Sequence, residues 1–114
     1  NERQFIRGHV GEEFEALVVH ITRSAVIYEL DKYPVRGVIR TAELTDDNYR
    51  FLPEHVRLIG RRTGRVFKLM DRARVRVERV EDDIYLSLAE PPQEKPEIRS
   101  KKRGRKRDKR NKEE

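Results

Sequence analysis

The 114-residue chain contains no cysteine, which excludes disulfide frameworks, thiolate-bound zinc and thiol catalysis together and fits a reducing, cytoplasmic setting. Its apolar runs are only a few residues long, far short of the ~20 that a membrane-crossing helix needs. No stretch has the apolar centre of a secretory signal, so no membrane partner is expected. The three histidines, His9, His20 and His55, lack metal-ligand spacing. No glycine-rich phosphate cradle is present, and no nucleophile stands beside a base. Asp46-Asp47 and Asp82-Asp83 are adjacent carboxylates in turn-like stretches, where neighbours point apart and serve turn geometry. A two-metal nuclease needs several acids converging in one pocket. Catalysis by this chain and a cofactor of its own are therefore not expected. The sequence begins at Asn1 rather than Met and is expected to be a piece of something longer.

What the chain has in quantity is charge, unevenly placed. Residues 1–90 carry 16 Lys and Arg against 16 Asp and Glu, whereas residues 91–114 carry 11 against 5. The whole net charge of +6 thus lies beyond Glu90. A neutral body with a basic extension suits a binder of nucleic acid or of another anionic surface; a tail that only confers solubility is the duller alternative. Lys101, Lys102, Arg103, Arg105, Lys106, Arg107, Lys109 and Arg110 crowd into ten residues, a run that holds polyanions by counterion release without reading bases. After Pro91-Pro92 there is too little apolar surface to order the chain, so a disordered tail is expected.

The body reads as short strands. Glu12 to Ile21 is rich in β-formers, Ala25 to Leu30 comes after a polar break, and Val35 to Arg40 comes after the turn at Asp31–Pro34. Gly37 inside the third strand suggests a bulge or bend. Thr41 to Leu44 resembles a helical turn. Val56 to Ile59 and Arg65 to Leu69 flank a glycine-bounded loop and predict a hairpin. In Arg72 to Val80, Arg72, Arg74, Arg76 and Glu78 alternate with Ala73, Val75, Val77 and Arg79, predicting one charged and one mainly apolar face. Ile84, Leu86 and Leu88 share a face of the last strand. Five principal strands without long helices predict an all-β, five-stranded OB-type barrel with a hairpin insertion between strands three and four.

Val10-Gly11-Glu12-Glu13-Phe14-Glu15-Ala16-Leu17-Val18 resembles the opening strand of the ribosomal-protein-S-one RNA-binding domain, and Arg72 to Val77 with Tyr85 to Leu88 resembles its last two strands. More narrowly, the chain is similar over residues 2–89 to the S-one domain that ends bacterial ribonuclease R. Glu2 to Ile6 resembles the end of the helix leaving that family's catalytic domain. Asp46-Asp47-Asn48-Tyr49-Arg50-Phe51 is similar to its Asp-Tyr-Tyr-aromatic segment, and Lys68-Leu69-Met70-Asp71 to its Arg-Leu-Gly-Asp approach to strand four. The resemblance implies that residues 1–10 end a linker or helix from an upstream domain, that 11–90 form the OB-fold RNA-binding domain, and that 91–114 are a Lys/Arg-rich tail. It implies a parent that is a magnesium-dependent, hydrolytic 3′→5′ exoribonuclease whose catalytic domain is absent here. This module would grip single-stranded RNA; the ribosome and the parent catalytic domain are further candidate partners.

The departures from that family bear on the site. Where relatives carry stacking aromatics at the turn into strand two, this chain has Ser24, Ala25, Val26 and Ile27. Arg40 matches the family's histidine, Asp83 falls near its basic residue in the last hairpin, and Met70 replaces its glycine before strand four. RNA contact should then rest more on phosphate than on the ~1–3 kcal/mol available per stacked base. The RNA-binding candidates are Arg23, Ile27, Arg40, Arg57, Arg61, Arg62, Arg65, Lys68, Arg74, Arg76 and Tyr85, with the eight tail cations. Arg40 either stacks on a base and pairs phosphate or is a solvated edge residue. Arg57, Arg61, Arg62, Arg65 and Lys68 concentrate positive field on one hairpin. Arg74 and Arg76, with Arg72, either track a backbone or are neutralised by Glu78 and nearby acids, the latter being favoured. Tyr28, Tyr49, Phe51 and Phe67 are expected to pack, leaving Tyr85 as the exposed aromatic. The rival class is a protein-docking module with a degenerate RNA face.

Overall fold

The computed structural model describes residues 2–89; the tail and its eight clustered cations lie outside the described residues. A short helix α1 (Glu2–Ile6) and a 3₁₀ turn (Arg7–His9) lead into β1 (Glu13–Ile21), β2 (Ala25–Leu30) and β3 (Arg36–Arg40). Next come a 3₁₀ turn (Thr41–Glu43), β4 (Tyr49–Leu52), β5 (Arg57–Gly60), β6 (Val66–Lys68), β7 (Arg72–Val80) and β8 (Ile84–Leu88). The strands β1-β2-β3-β8-β7 close into a five-stranded barrel, antiparallel except for the β3–β8 pair. That is the OB arrangement expected from the strand count and order.

The barrel interior is set by alternation. Phe14, Ala16, Val18 and Ile21 of β1 meet Val26, Tyr28 and Leu30 of β2, Ile39 of β3, Val75 and Val77 of β7, and Ile84 and Leu86 of β8, all buried. Ile6 of α1 is fully buried in the same cluster. In β1 and β7 the register shifts between Val18 and His20 and between Val77 and Arg79. Each bulge inserts one residue and changes the phase of the rest of its strand.

Three expectations are corrected by this geometry. Gly37 is no bulge: the β2–β3 register runs through it unshifted, with Tyr28 opposite. It points inward, where a Cβ would stand 2.7 Å from Leu86 Cγ, so glycine is needed for close approach of β3 and β8. Arg79 does not continue the face of Val75 and Val77. The bulge at Glu78 turns it outward opposite Tyr85, while Val80 packs against the core. The insertion is a three-stranded meander, β4-β5-β6, rather than a hairpin. Tyr49 to Leu52 supplies the extra strand, pairing with Gly60 to Arg57, although the polar stretch before it had suggested only turn.

The inserted sheet packs one face inward through Leu58 and Phe67, both buried, with Tyr49 and Phe51 beside them. Trimming a fully buried leucine such as Leu58 to alanine would cost about 2–5 kcal/mol. The sheet is tied at its tip by Asp47, whose carboxylate accepts hydrogen bonds from the amides of Asn48 (2.7 Å), Arg62 (3.1 Å) and Thr63 (2.8 Å) and from Thr63 Oγ1 (2.7 Å). These donors, those of Thr63 foremost, hold the Asp47 carboxyl well below its ordinary range. Asp46 turns the other way and accepts from the Tyr49 hydroxyl at 2.8 Å. With the Tyr49 ring partly buried, desolvation and this bond push its hydroxyl up to about 12.

Candidate nucleic-acid interface

Outward-facing residues of β2, β3, β8 and β7 form one row across the barrel. Ile27 is paired in register with Val38, Val38 with Tyr85, and Tyr85 with Arg79. Over Tyr85 lie two guanidiniums, Arg79 at 4.2 Å and Arg40 at 5.1 Å from the ring centroid. Glu43, at the end of the 3₁₀ turn after β3, reaches both, 3.0 Å from Arg40 and 3.7 Å from Arg79. The Tyr85 hydroxyl donates to Asp82 at 2.9 Å, which raises the phenol and lowers the carboxyl. The assembly is pre-ordered: ring, guanidiniums and acid each have fixed partners.

Tyr85 is therefore not the exposed aromatic it was expected to be. Its relative exposure is 8 %, because the bulge at Glu78 brings Arg79 onto the same face and Arg40 covers it as well. What this face presents to a ligand is guanidinium planes backed by a ring, beside the partly exposed Ile27 and the nearly buried Val38. A guanidinium over an aromatic face is held by cation–π attraction, and its outer plane and N–H groups stay available to stack on a base or to pair with phosphate.

The remaining candidates among the described residues separate into four groups. Arg23, at the β1–β2 turn, lies with its guanidinium 5.6 Å over the Phe51 ring, and its carbonyl accepts from Thr41 Oγ1 at 3.0 Å. It therefore stands between the Arg40 end of the barrel face and the inserted sheet. Arg57, Arg61 and Lys68 belong to the outer face of that sheet, whereas Arg62 and Arg65 are drawn into its tip. Arg62 Nη2 donates to the Asp46 carbonyl at 2.9 Å; Arg65 lies 3.5 Å from the Asp46 carboxylate and over the Phe67 ring.

Arg74 and Arg76 are elsewhere, in a charge ladder between β7 and β1. Arg74 pairs with Glu13 at 3.1 Å and Glu15 at 2.7 Å, Arg76 with Glu13 and Glu78, and Arg72 with Asp31. The two arginines lower the Glu13 carboxyl through these hydrogen bonds. Such surface pairs contribute little to stability but cancel the field a polyanion would sense. Two cations on these faces were not among the RNA-binding candidates read from the sequence, Arg79 and Arg50. The break in alternation between Val77 and Val80 signals the first, and the apolar alternation of Tyr49-Arg50-Phe51 signals the second. Among the described residues no three of His, Cys, Asp or Glu gather as metal ligands.

Comparison with known proteins agrees with this architecture. The family described as "S1 RNA binding domain" matches residues 9–89. Ribonuclease R of Aquifex aeolicus is 35% identical over 80 residues, 70% of this chain and 11% of that protein. Ribonuclease R of Thermotoga maritima is 31% identical over 94 residues, 80% of this chain and 13% of that protein. The chain thus spans about a tenth of the length of these curated relatives. Among solved structures, Mycoplasma genitalium RNase R in its apo form superposes with a TM-score of 0.71 at 24% identity, over 74% of this chain and 14% of that one. The same enzyme in complex with ribose methylated single-stranded RNA gives 0.72 at 24% identity, over 75% and 14%. At that identity the likeness speaks for the fold.

Proposed function

The chain belongs to the S1 RNA binding domain family, and from that premise we propose that it grips single-stranded RNA as the accessory, non-catalytic module of a ribonuclease R-like 3′→5′ exoribonuclease. Hydrolysis, its magnesium and the cytoplasmic setting belong in this reading to the parent enzyme. The observation that carries the reading is the stack of Arg40 and Arg79 on Tyr85. It puts two planar cations at the centre of the barrel face, in a chain whose turn into β2 carries Ser24 to Ile27 in place of the resembled family's stacking aromatics.

That substitution sets the mode of binding. A base can lie on a guanidinium plane while the same group's N–H donors reach the neighbouring phosphate. Ile27 and Val38 give the ribose and base edges an apolar floor without a π-face. Contacts of this kind tolerate any sequence and weaken steeply with salt.

The test is fluorescence anisotropy of a labelled oligouridylate against salt, for the full chain and for Arg40→Ala/Arg79→Ala. Each guanidinium that neutralises a phosphate contributes about 0.7 to the log–log salt slope on single strands. The double variant should lose affinity and flatten the slope by about 1.4. Unchanged affinity and slope would refute the assignment of this face. Absence of RNA binding by the full chain at every salt concentration would favour the docking-module reading.

A further inference from the structure

The inserted sheet turns a second face to solvent. Opposite the packed side of Leu58 and Phe67, strand alternation brings Arg50 and Leu52 of β4, Arg57 and Ile59 of β5, and Lys68 of β6 outward. None of the three strands contains an acidic residue. A hollow of about 330 Å³ opens on this face, walled by Arg50 and Arg61 and floored by Leu52, Ile59 and Gly60.

The arginines here differ from those of the barrel. Arg36, Arg40, Arg72, Arg74, Arg76 and Arg79 all have carboxylate partners, as does Arg65 at the tip of the inserted sheet. The guanidiniums of Arg50, Arg57 and Arg61 have neither an acid, a carbonyl nor a ring as partner among the described residues. Three uncompensated guanidiniums on one small sheet make a concentrated positive field on a body whose net charge is zero. The apolar floor between them would be a poor place for a hydrated ion alone. It suits a ligand that pairs an anionic group with a flat, weakly polar one.

We propose that this outer face of β4-β5-β6 is a second RNA site, separate from the barrel face, that takes one phosphate-and-base unit in the hollow and neighbouring phosphates on Arg57. It rests on the reading of the chain as an RNA binder. Arg23, whose carbonyl is held by Thr41 next to Arg40 and whose guanidinium lies over Phe51, provides a cation between the barrel face and the inserted sheet. A strand long enough to cover both faces gains the second set of contacts as an intramolecular step.

The experiment is a nitrogen–proton correlation titration of the full chain with oligouridylates of about four and about sixteen nucleotides, the span of site sizes for such folds. With the long strand, the amides of Leu52, Ile59, Gly60 and Arg61 should shift together with those of Ile27, Val38 and Tyr85. Anisotropy with Arg50→Ala/Arg57→Ala/Arg61→Ala should show a salt slope flatter by about two units for the long strand. The shifts at Ile27 and Tyr85 should survive in that variant. All three positions are exposed or unpaired, so the variant should keep the native amide spectrum.

No shift at Leu52 to Arg61 at saturation, or an unaltered slope in the triple variant, would overturn the second site. The same shifts with polyglutamate but not with RNA would assign the face to an acidic protein and overturn it equally. If Arg40→Ala/Arg79→Ala changes nothing while the triple variant loses RNA, the second site stands and the barrel-face reading falls.

Discussion

Met70 sits between β6 and β7 with φ +73°, a backbone region in which an L-residue costs roughly 1–2 kcal/mol. It cannot relax cheaply. Its amide donates to the Val18 carbonyl at 2.9 Å, and the Val18 amide donates to the Asp71 carbonyl at 2.9 Å, stitching the turn to the bulge in β1. Its side chain is 69 % exposed, so trimming it forfeits little burial. Met70→Gly removes the strain but enlarges the unfolded ensemble, a loss of about 0.5–1 kcal/mol. The net expectation is a gain of roughly 0.5–1 kcal/mol, or about 2–8 °C in Tm for a domain of this size. Urea and thermal unfolding followed by circular dichroism would measure it. Met70→Ala keeps the Cβ and should gain nothing. Val56→Gly shares the left-handed backbone, φ +51°, but removes a side chain packed on the core and should not stabilise. If Met70→Gly unfolds no later than Met70→Ala, the strain argument is wrong.

The structure sets three further expectations and the charge distribution of the sequence a fourth. Gly60→Ala would press a Cβ into the Asp47 carboxylate and should destabilise by about 1–3 kcal/mol, read as an earlier unfolding midpoint. Asp47 has its carboxyl lowered from 3.8 in the fold, so its contribution is present above the unfolded value and lost as pH falls through the folded one; the urea-midpoint gap between wild type and Asp47→Asn should narrow from about pH 5 to pH 2, and a constant gap would refute this. Glu43→Gln frees both Arg40 and Arg79 from their shared acid and should tighten RNA binding roughly two- to fivefold by anisotropy; weaker binding would mean that Glu43 positions the guanidiniums instead. A chain ending at Glu90 should bind RNA more weakly, with a slope flatter by about three units if half of the eight tail cations touch phosphate.

Alternation and turn chemistry are local, and they were enough to make the barrel legible. Ala25 to Leu30, Arg72 to Val80 and Ile84 to Leu88 are strands with the bounds read from the residues alone. Tyr28, Tyr49, Phe51 and Phe67 pack as their neighbours imply. The charge distribution, too, is a property of the chain, and it separates a neutral body from a basic extension without any tertiary information. Local pattern does not report which residues meet across the barrel. Gly37 reads as a bulge until Leu86 is seen to occupy the space a Cβ would need. Tyr85 reads as exposed until the bulge at Glu78 reverses the phase of β7 and lays Arg79 over it. Arg74 and Arg76 read as a row neutralised by Glu78 and nearby acids, but that Glu13 and Glu15 do it, from β1 some sixty residues earlier, shows only in the fold. Periodicity thus determined which side of each strand faces inward. Only closure of the sheet decided which cations are cancelled, which are stacked and which stay free, because each of those outcomes depends on a partner brought close by folding.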